Sequence, residues 1–414
     1  MVVLEPYRVL DLTDEKGLFC GKVFADLGAD VIQVEPPQGN PARRLPPFWQ
    51  GQSHPEKSLH WFAFSAGKRS VTLDIEREAG RHVFMALCRT ADFLIESFPV
   101  GYLERIGLGY SALSAANPRL IMASITPFGS TGPYGEFKAG DLVAAAMGGM
   151  VYCTGDPDRP PVRISADQAY CQASLHAAIG LLVALADRVA SGKGQHVDVS
   201  LQASMVRTLH TQLPYWEYGN HIVRRSGAWR FRGGAATREI WPCKDGFVSW
   251  MFFGGAVGTQ QMRSMVEWMK EKGMDGPLAT DSEDWSALDL AKVAPQKVKA
   301  WEEIIGRFFM AFTKAELYGE ALQKRIPLTP LNGIAEVMDD AQLASREFWI
   351  DIDHPDLGVH IPYPGAFFRT TDERSAPRVR RRAPRLGEHN DEVYVRELGL
   401  SRDEVASLRL SNTP

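Results

Sequence analysis

The chain has 414 residues, of which 45% are hydrophobic and 23% charged, a composition that is ordinary for a soluble globular protein. Its 46 basic and 50 acidic residues leave a net charge of −4, which argues against a nucleic-acid or membrane-surface partner. The chain has no uninterrupted apolar run of about 18 residues and no basic leader, and its five scattered cysteines lack metal-ligand spacing, so we expect a cytoplasmic protein without a bound metal.

The N-terminal residues predict a strand, a helix and a second strand. Residues 7–13 have strand composition, and the following segment reads as a helix that stops at Gly28 and a buried strand at 30–34. A helix that crosses between two strands indicates a parallel sheet, and such sheets bind ligands beyond the carboxyl ends of their strands. The turns at 13–17 and 35–44 are therefore the first places to search for a site.

The alternation of strands and helices continues to about residue 215. Further strands are predicted at 68–73, 92–97, 120–126 and 197–199, and helices at 76–89, 141–150 and 170–190. Ser200 is predicted to be the N-cap of the next helix. This rhythm predicts an α/β fold for the N-terminal half of the chain.

The composition changes beyond residue 215. Residues 215–238 show no clear period, and a strand pair around Lys244-Asp245-Gly246 then leads into helices rich in Trp, Met, Lys and Glu. We therefore expect residues 1–215 to form the N-terminal part of a large domain and residues 216–330 to form a small domain with its linkers. Residues 331–414, with helix and turn signals, are expected to return to the large domain.

Eight short motifs run along the chain in a fixed order. They are Val9-Leu10-Asp11-Leu12-Thr13, Leu27-Gly28-Ala29-Asp30-Val31-Ile32 with Val34-Glu35-Pro36-Pro37, Gly67-Lys68-Arg69-Ser70-Val71, Ala91-Asp92-Phe93-Leu94-Ile95-Glu96-Ser97-Phe98, Asn117-Pro118-Arg119-Leu120-Ile121, Thr131-Gly132-Pro133-Tyr134, Ser191-Gly192-Lys193-Gly194-Gln195 and Leu386-Gly387-Glu388-His389-Asn390. Each motif alone is weak, but the ordered set resembles the family III CoA-transferases, the group of formyl-CoA transferase and carnitine CoA-transferase. α-Methylacyl-CoA racemase is similar to the same family.

The resemblance implies a fold and a reaction. The fold is an α/β, Rossmann-like large domain with a smaller α+β domain, and two chains form an interlocked dimer. The reaction moves CoA from an acyl-CoA, such as succinyl-CoA, to a carboxylic acid. An active-site aspartate attacks the thioester and forms an anhydride, and the released thiolate then forms an aspartyl thioester, so one difficult exchange is divided into easier steps. CoA is a substrate here, and no prosthetic group is expected.

The resemblance also implies which residues bind CoA. Lys138 and Arg105 fall at basic positions that contact CoA and its phosphates, Ser97 and Phe98 match a strand-end pair beside the adenine, and Leu73 matches a wall residue. Phosphates require cations and backbone N–H groups, whereas an adenine requires apolar walls. The alternatives are solvated surface charges for the two basic residues and a core position for the phenylalanine.

The loop after the first strand departs from the family pattern. Relatives have small residues or Gln at this position, where the loop covers the reacting thioester, whereas this chain has Asp14, Glu15 and Lys16. A charged loop is better suited to a polar lid than to the protection of an anhydride from water. We expect Glu15 and Lys16 to lie at the CoA site, and the alternative is an exposed turn.

The largest departure concerns the nucleophile, because Tyr170 stands where the resemblance places the family's aspartate. A phenol is protonated at neutral pH and cannot form a carboxylic anhydride. Asp167, three residues earlier, is either a relocated nucleophile or a helix N-cap. Asp141, near Lys138, either supports the site or is an acidic residue in the first turn of a helix.

Three functions remain open at this point. The leading one is a subunit of a heteromeric, benzylsuccinate-type CoA-transferase in which a homologous partner holds the aspartate. The second is a self-sufficient transferase that uses Asp167, and the third is an enzyme similar to acyl-CoA racemase. The glycine pairs 233–234 and 254–255 either belong to a mobile loop over the acyl site or form ordinary hairpin turns.

Overall fold

A parallel sheet is the framework of the larger of two compact units. The computed structural model describes residues 3–232, 235–252, 255–276, 278, 285–372 and 376–405. Of these residues, 3–151, 163–222, 341–372 and 376–405 belong to the larger unit. Its strands are β1 (Arg8–Leu12), β2 (Asp30–Glu35), β3 (Arg69–Thr72), β4 (Phe93–Glu96), β5 (Ile121–Thr126) and β6 (His196–Ser200). All neighbours are parallel, in the order β3-β2-β1-β4-β5-β6.

This sheet confirms the predicted parallel α/β fold. Each predicted strand is present, with its ends moved by at most one residue. The interior strand β5 is buried at every position, which explains why its sequence is mostly apolar rather than alternating. The strand order reverses between β1 and β4, and open α/β sheets bind ligands at such a switch point.

Helices cover the sheet. They are α1 (Leu18–Asp26), α2 (Leu59–Ser65), α3 (Glu78–Thr90), α4 (Tyr102–Arg105), α5 (Tyr110–Ala116), α6 (Asp141–Met147), α7 (Gln168–Ser191), α8 (Leu201–Arg207) and α9 (Gln212–Gly219). The predicted N-cap of α8 is confirmed, since the Ser200 hydroxyl accepts a hydrogen bond from the backbone N–H of Ala203. Gly28, with a φ of 102°, follows the end of α1 as predicted.

Helix α7 buries a side of small residues against the sheet. Its buried positions include Ala169, Ala173 and Ala177, which repeat at the four-residue spacing of one helix face. Among the described helices, α7 alone is long and apolar enough to cross a membrane, by length and composition, with 39% of the apolar stretch buried. Near the C-terminal end of α7, the buried Arg188 is ion-paired with Asp92 at 3.0 Å. Asp92 directly precedes β4, so this ion pair connects the helix with the sheet.

The second unit comprises Tyr152–Val162 and Val223–Asp340. Its strands are β7 (Trp229–Arg232), β8 (Ala235–Arg238), β9 (Ile240–Cys243), β10 (Gly246–Ser249) and β11 (Thr329–Pro330), and its helices are α10 (Gly255–Glu271), α11 (Pro295–Met310), α12 (Lys314–Lys324) and α13 (Ile334–Met338). Strands β9 and β10 form the predicted hairpin, and β11 extends it to an antiparallel sheet. The core contains four fully buried tryptophans, Trp241, Trp250, Trp268 and Trp301.

Two segments contain elements that the sequence did not indicate. Residues 215–238 contain the end of α9 and the β7–β8 hairpin. Helix α9 has no buried residue, so its sequence has no apolar stripe that could reveal a helical period. The C-terminal segment contains α14 (Ala341–Ser345), a π-helical segment (Asp391–Glu397) and a hairpin of β12 (Trp349–His354) and β13 (Val359–Pro364). Prolines inside β13 weaken its strand signal.

The domain boundaries that we expect after residues 215 and 330 stay a prediction. In the structure the larger unit ends at Ile222 and resumes at Ala341, and Tyr152–Val162 belongs to the smaller unit.

Candidate functional site

A groove of about 670 Å³ lies at the carboxyl ends of β1, β2, β3 and β4, where the strand order reverses. The turn after β1 contributes Asp14 to this groove, and the turn after β2 contributes Pro36, Pro37 and Pro41. Residues 73–77 follow β3 and form another wall. The groove therefore brings together the two turns that the strand-end rule selected from the sequence.

Three of the predicted CoA-binding residues line this groove, namely Leu73, Ser97 and Phe98. The Phe98 ring stacks on Tyr102 of α4 with 4.6 Å between ring centroids. Arg105 is exposed one helical turn away, and its guanidinium lies 5.5 Å from the centroid of the same tyrosine ring. The groove thus combines an aromatic wall with a neighbouring cation.

The other predicted cation lies elsewhere. Lys138 is exposed in the segment before α6 and is not among the residues that line the groove. Its role in CoA binding stays a prediction.

Sequence reasoning missed several groove residues, among them Tyr102 and Arg77. The Tyr102 hydroxyl donates to Glu76 Oε1 at 2.9 Å, and both residues line the groove. Arg77 lines the groove and is ion-paired with Asp74 at 3.1 Å. The strand-end rule could have found Arg77, because it follows β3 as closely as the predicted turns follow β1 and β2.

A buried ion pair lies beneath the loop that follows β1. Lys68 and Asp11 are both fully buried, and Lys68 Nζ lies 2.8 Å from Asp11 Oδ2. The ammonium group also donates to the carbonyl of Leu18 at 2.9 Å and to Gln33 Oε1 at 3.2 Å. Gly21 of α1 lies so close to this ion pair that a Cβ atom at position 21 would be 2.0 Å from Asp11 Oδ2. Two of the motifs, around Asp11 and around Lys68, are therefore joined by one charge pair.

The same network fixes the root of the loop. Asp11 Oδ1 accepts hydrogen bonds from the backbone N–H of Thr13 at 2.9 Å and from its hydroxyl at 2.6 Å. The carbonyl of Thr13 accepts from Gln33 Nε2 at 3.1 Å and from Asn40 Nδ2 at 2.7 Å. A carbonyl oxygen has two lone pairs, and both are used here. The peptide at Thr13 is therefore held in one orientation.

The tip of the loop faces both the groove and helix α7. Asp14 accepts from the Ser97 hydroxyl at 2.8 Å and is ion-paired with Lys16. The Ser174 hydroxyl of α7 donates to the carbonyl of Lys16 at 3.4 Å. Burial raises the pKa of Glu15, and the charge of Asp14 raises it further. The charged residues of the loop are thus half-buried at the start of α7, and this geometry differs from that of an exposed turn.

The N-terminus of α7 is capped from another helix. Asp141 Oδ1 accepts from the backbone N–H groups of Ala169 at 2.7 Å and of Tyr170 at 3.2 Å. Burial raises the pKa of Asp141, and these two hydrogen bonds oppose that shift. Asp167 occupies the N-cap position, but its side chain makes no capping hydrogen bond and is exposed. Asp167 is thus the N-cap residue by position, but the side chain that caps the helix is that of Asp141.

Tyr170 is half-buried among carboxylates. Burial raises its pKa to about 12, and Glu15 and Asp14 act in the same direction. A Cβ on Gly140 would lie 3.2 Å from the Tyr170 hydroxyl, so the backbone before α6 borders this phenol. A phenol with a raised pKa is protonated at neutral pH and is a poor nucleophile.

Among the residues that the structure describes, no group of three or more His, Cys, Asp or Glu side chains could hold a metal ion. Gly233, Gly234 and Gly254 lie outside the described residues, and Gly255 begins α10.

Comparison with known proteins identifies the family. The chain matches the family described as CoA-transferase family III over residues 4–390. It is 36% identical over 403 residues to subunit BbsE of the succinyl-CoA:(R)-benzylsuccinate CoA-transferase of Thauera aromatica, with 97% of this chain and 96% of that one covered. It is 32% identical over 409 residues to the succinyl-CoA–D-citramalate CoA-transferase of Chloroflexus aurantiacus, with 98% and 96% covered.

A solved structure agrees with the sequence matches. The crystal structure of a CAIB/BAIF family protein from Brucella suis superposes with a TM-score of 0.83 at 30% identity, covering 95% of this chain and 99% of that one. The Rossmann-like α/β sheet, the ordered motifs and these relatives agree, and the chain belongs to the family III CoA-transferases, enzymes whose substrates are CoA thioesters.

Proposed function

We propose that this chain is the subunit without a nucleophile in a heteromeric CoA-transferase that moves CoA from succinyl-CoA to an organic acid. Two relatives support the subunit role by name, since BbsE is a subunit and a 31% identical relative is the beta subunit of a succinyl-CoA–L-malate CoA-transferase. The D-citramalate enzyme also takes succinyl-CoA as its donor. The acceptors that these names give are all carboxylic acids, and this class of acceptor is the one we propose.

The observation that carries this proposal is Tyr170. The resemblance predicts an aspartate at this position, at the start of α7, and covalent transfer requires a carboxylate that can form an anhydride. The phenol of Tyr170 has a pKa raised to about 12. The groove at the switch point still offers the apolar wall and the neighbouring cation that we assign to CoA. A chain that keeps its CoA groove but lacks the attacking group requires a second chain for catalysis.

We assign the CoA molecule to this groove. Leu73 and Phe98 offer apolar surface for the adenine, and Arg105 beside Tyr102 offers a cation for the phosphates. Lys138 is proposed as a further cation toward CoA. Glu15 and Lys16 belong to the loop that would cover the acyl end of the ligand, because this loop contacts α7.

The outer side of α7 supports a homologous partner. Leu175, Ile179 and Val183 are 37%, 58% and 64% exposed, and their four-residue spacing gives one apolar stripe. Uncovered apolar stripes of this kind mark interaction surfaces. The opposite side of α7 is packed on the sheet, so we assign the stripe to a protein partner in the cytoplasm rather than to a membrane. An interlocked dimer with a homologous subunit would cover it.

Purification from the native cells tests the subunit role. A homologous chain with an aspartate at the position of Tyr170 should accompany this chain. The isolated chain should show no transfer from succinyl-CoA to benzylsuccinate, citramalate or malate, and the pair should restore transfer to one of them. Tyr170→Phe should leave the activity of the pair unchanged, whereas Asp→Asn in the partner should abolish it. Full activity of the isolated chain would refute the proposal.

A self-sufficient transferase is the second candidate, and Asp167 favours it. Its carboxylate is exposed and is not used for capping, so it is chemically available at the start of α7. This candidate requires activity of the isolated chain and loss of that activity in Asp167→Asn. A racemase-like enzyme would instead exchange the α-proton of an acyl-CoA for deuterium without any acceptor acid, and the same preparation reports that exchange.

A further inference from the structure

The last of the ordered motifs, at residues 386–390, lies beside the outer edge of the parallel sheet. Together with the next four residues it forms a strap (386–394) along β3, which stands at one end of the strand order. Alternate residues of an edge strand direct their N–H and C=O groups away from the sheet, and in β3 these residues are Ser70 and Thr72. An edge strand has to pair or cover such groups.

The strap pairs all four of these groups. The backbone N–H of Ser70 donates to Nδ1 of His389 at 3.2 Å, and the Ser70 carbonyl accepts from the backbone N–H of His389 at 2.9 Å. The backbone N–H of Thr72 donates to Asn390 Oδ1 at 2.9 Å, and the Thr72 carbonyl accepts from the Tyr394 hydroxyl at 3.0 Å. Three of the four partners are side-chain atoms, so the strap replaces a neighbouring strand largely without its backbone.

The strap also lies very close to β3. The Gly387 N–H donates to Ser70 Oγ at 2.9 Å, and Asn390 Nδ2 donates to Thr72 Oγ1 at 2.8 Å. Gly387 has a φ of 63°, and a Cβ at this position would lie 2.8 Å from Asn390 Nδ2. Asn390 and Tyr394 are 5% and 1% exposed, so water has little access to the bonds that they make.

Other contacts hold both ends of the strap. At its start, the backbone N–H of Leu386 donates to Glu56 Oε1 at 3.0 Å. Near its end, the buried Arg69 donates through Nη1 to Glu392 Oε1 at 2.8 Å and to Glu397 Oε1 at 2.5 Å. The strap therefore has anchors that do not involve Asn390 or Tyr394, and it should stay in place when one of these two side chains is changed.

The strap reaches the groove through one peptide group. Strand β3 continues directly into residues 73–77, which line the groove. The peptide between Thr72 and Leu73 is bonded on both sides, because its carbonyl accepts from Tyr394 and its N–H donates to the Glu35 carbonyl at 2.8 Å. A peptide group is planar, so these two bonds fix the direction in which the chain enters the groove wall.

We propose that the strap positions residues 73–77 for the ligand, with Asn390 and Tyr394 as positioning residues that act through Thr72. The consequence for binding rests on the proposed function of the groove as a CoA site. The contact with CoA is made by Leu73 and its neighbours. Coupling between two sites acts equally in both directions, so CoA bound to the wall should in turn stabilise the strap.

Three variants separate positioning from a general loss of stability. Tyr394→Phe removes one buried hydroxyl and leaves the Thr72 carbonyl without this donor, and Asn390→Leu has a similar volume but no acceptor for the Thr72 N–H. Tyr363→Phe is the matched control, since it removes a buried hydroxyl that is hydrogen-bonded to His354 Nε2 at 3.1 Å in the β12–β13 hairpin. Each variant breaks buried hydrogen bonds and should lose stability, but only the first two act on β3.

Calorimetric titration with CoA measures the effect on binding, at a temperature at which thermal unfolding shows every variant to be folded. The dissociation constant should rise about fivefold in Tyr394→Phe and in Asn390→Leu, a size typical of residues that influence a ligand without touching it. It should stay unchanged in Tyr363→Phe.

Hydrogen exchange measured by mass spectrometry on the same proteins follows the wall and the strap directly. The amides of residues 73–77 should exchange faster in Tyr394→Phe and Asn390→Leu than in the native chain, and at the native rate in Tyr363→Phe. CoA should slow the exchange of the strap in the native chain, and it should do so less in Tyr394→Phe.

Every outcome is informative. An unchanged CoA affinity in Tyr394→Phe or in Asn390→Leu refutes the positioning role of that residue, and an equal loss in Tyr363→Phe refutes it for both, because stability alone would then explain the loss. A strap whose exchange does not respond to CoA refutes the coupling. Absence of CoA binding to the native chain refutes the proposed function of the groove, while the exchange of residues 73–77 in the variants still decides whether the strap holds the wall.

Discussion

The buried pair of Lys68 and Asp11 allows a quantitative test by Lys68→Met. Methionine has a similar length but no charge and no N–H, so the variant removes the contacts of the ammonium group with Asp11 Oδ2, the Leu18 carbonyl and Gln33 Oε1. The Asp11 carboxylate then remains fully buried with only its Oδ1 bonded strongly, to Thr13. An uncompensated charge in the core is the main expected cause of destabilisation.

The expected loss is about 3–5 kcal/mol, as found when one partner of a buried ion pair is removed. Since about 1.4 kcal/mol corresponds to a factor of ten, the unfolding equilibrium constant should rise by about two to nearly four orders of magnitude. This loss is a large part of the stability of a typical domain, about 5–15 kcal/mol. The double variant Lys68→Met with Asp11→Asn should recover part of it, because it also removes the unpaired charge.

Hydrogen exchange measured by mass spectrometry is the appropriate assay. It reports the amides of β1, β2 and β3 separately from those of the smaller unit. Protection of these strands should fall in Lys68→Met and recover partly in the double variant. Lys193→Met, at an exposed turn, is the control and should change nothing measurable. A loss below about 1 kcal/mol in Lys68→Met, or a double variant no more stable than the single one, would refute the reasoning.

Three more predictions concern other parts of the larger unit. In Gly194→Ala the new Cβ would lie 1.9 Å from the Leu120 carbonyl oxygen, so thermal unfolding should show that the free energy of unfolding falls by about 3 kcal/mol. In Gly192→Ala the new Cβ has free space but the residue has a φ of 73°, so the free energy of unfolding should fall by only about 1 kcal/mol. Equal losses would contradict this account. Because the pKa of Glu96 is about 7 in the folded chain against an ordinary 4.5, the unfolded chain ionises first, and stability should fall by about 3 kcal/mol as pH rises from 4.5 to 7. Urea midpoints across this range should show that fall in the native chain but not in Glu96→Gln. Phe98→Ala should weaken CoA binding in calorimetry by about tenfold or more through the loss of aromatic stacking, and the exposed Phe247→Ala should leave the affinity unchanged.

The sequence predicted the sheet well for a physical reason. Parallel strands such as β5 are buried on both faces, so they appear as short apolar runs between helices. Local rules also predicted Gly28 after α1 and Ser200 before α8, because these positions depend on neighbouring residues alone. By contrast, α9 and β13 lack a local signal, the first because it buries no side chain and the second because it contains prolines.

The site was predictable to the extent that strand ends define it. Leu73, Ser97 and Phe98 follow strands directly, so the position of each in the sequence indicates its position in the sheet. Tyr102 reaches the groove only through the intervening turn, and no periodicity indicates that. The hydrogen bonds that Asp141 accepts from α7 join residues that are 28 and 29 positions apart, and no local rule connects such pairs. The capping role was consequently expected of Asp167, its neighbour in sequence.

The two hydrogen bonds on the Thr13 carbonyl divide the loop that follows β1 into two parts that differ in their tolerance to substitution. The root is built into the sheet through Gln33, Asn40 and the buried Asp11, so a change there disturbs the whole unit. Residues 14–16 contribute little to that framework. An exchange of these three residues should therefore disturb the sheet less than a change at Asp11, Gln33 or Asn40.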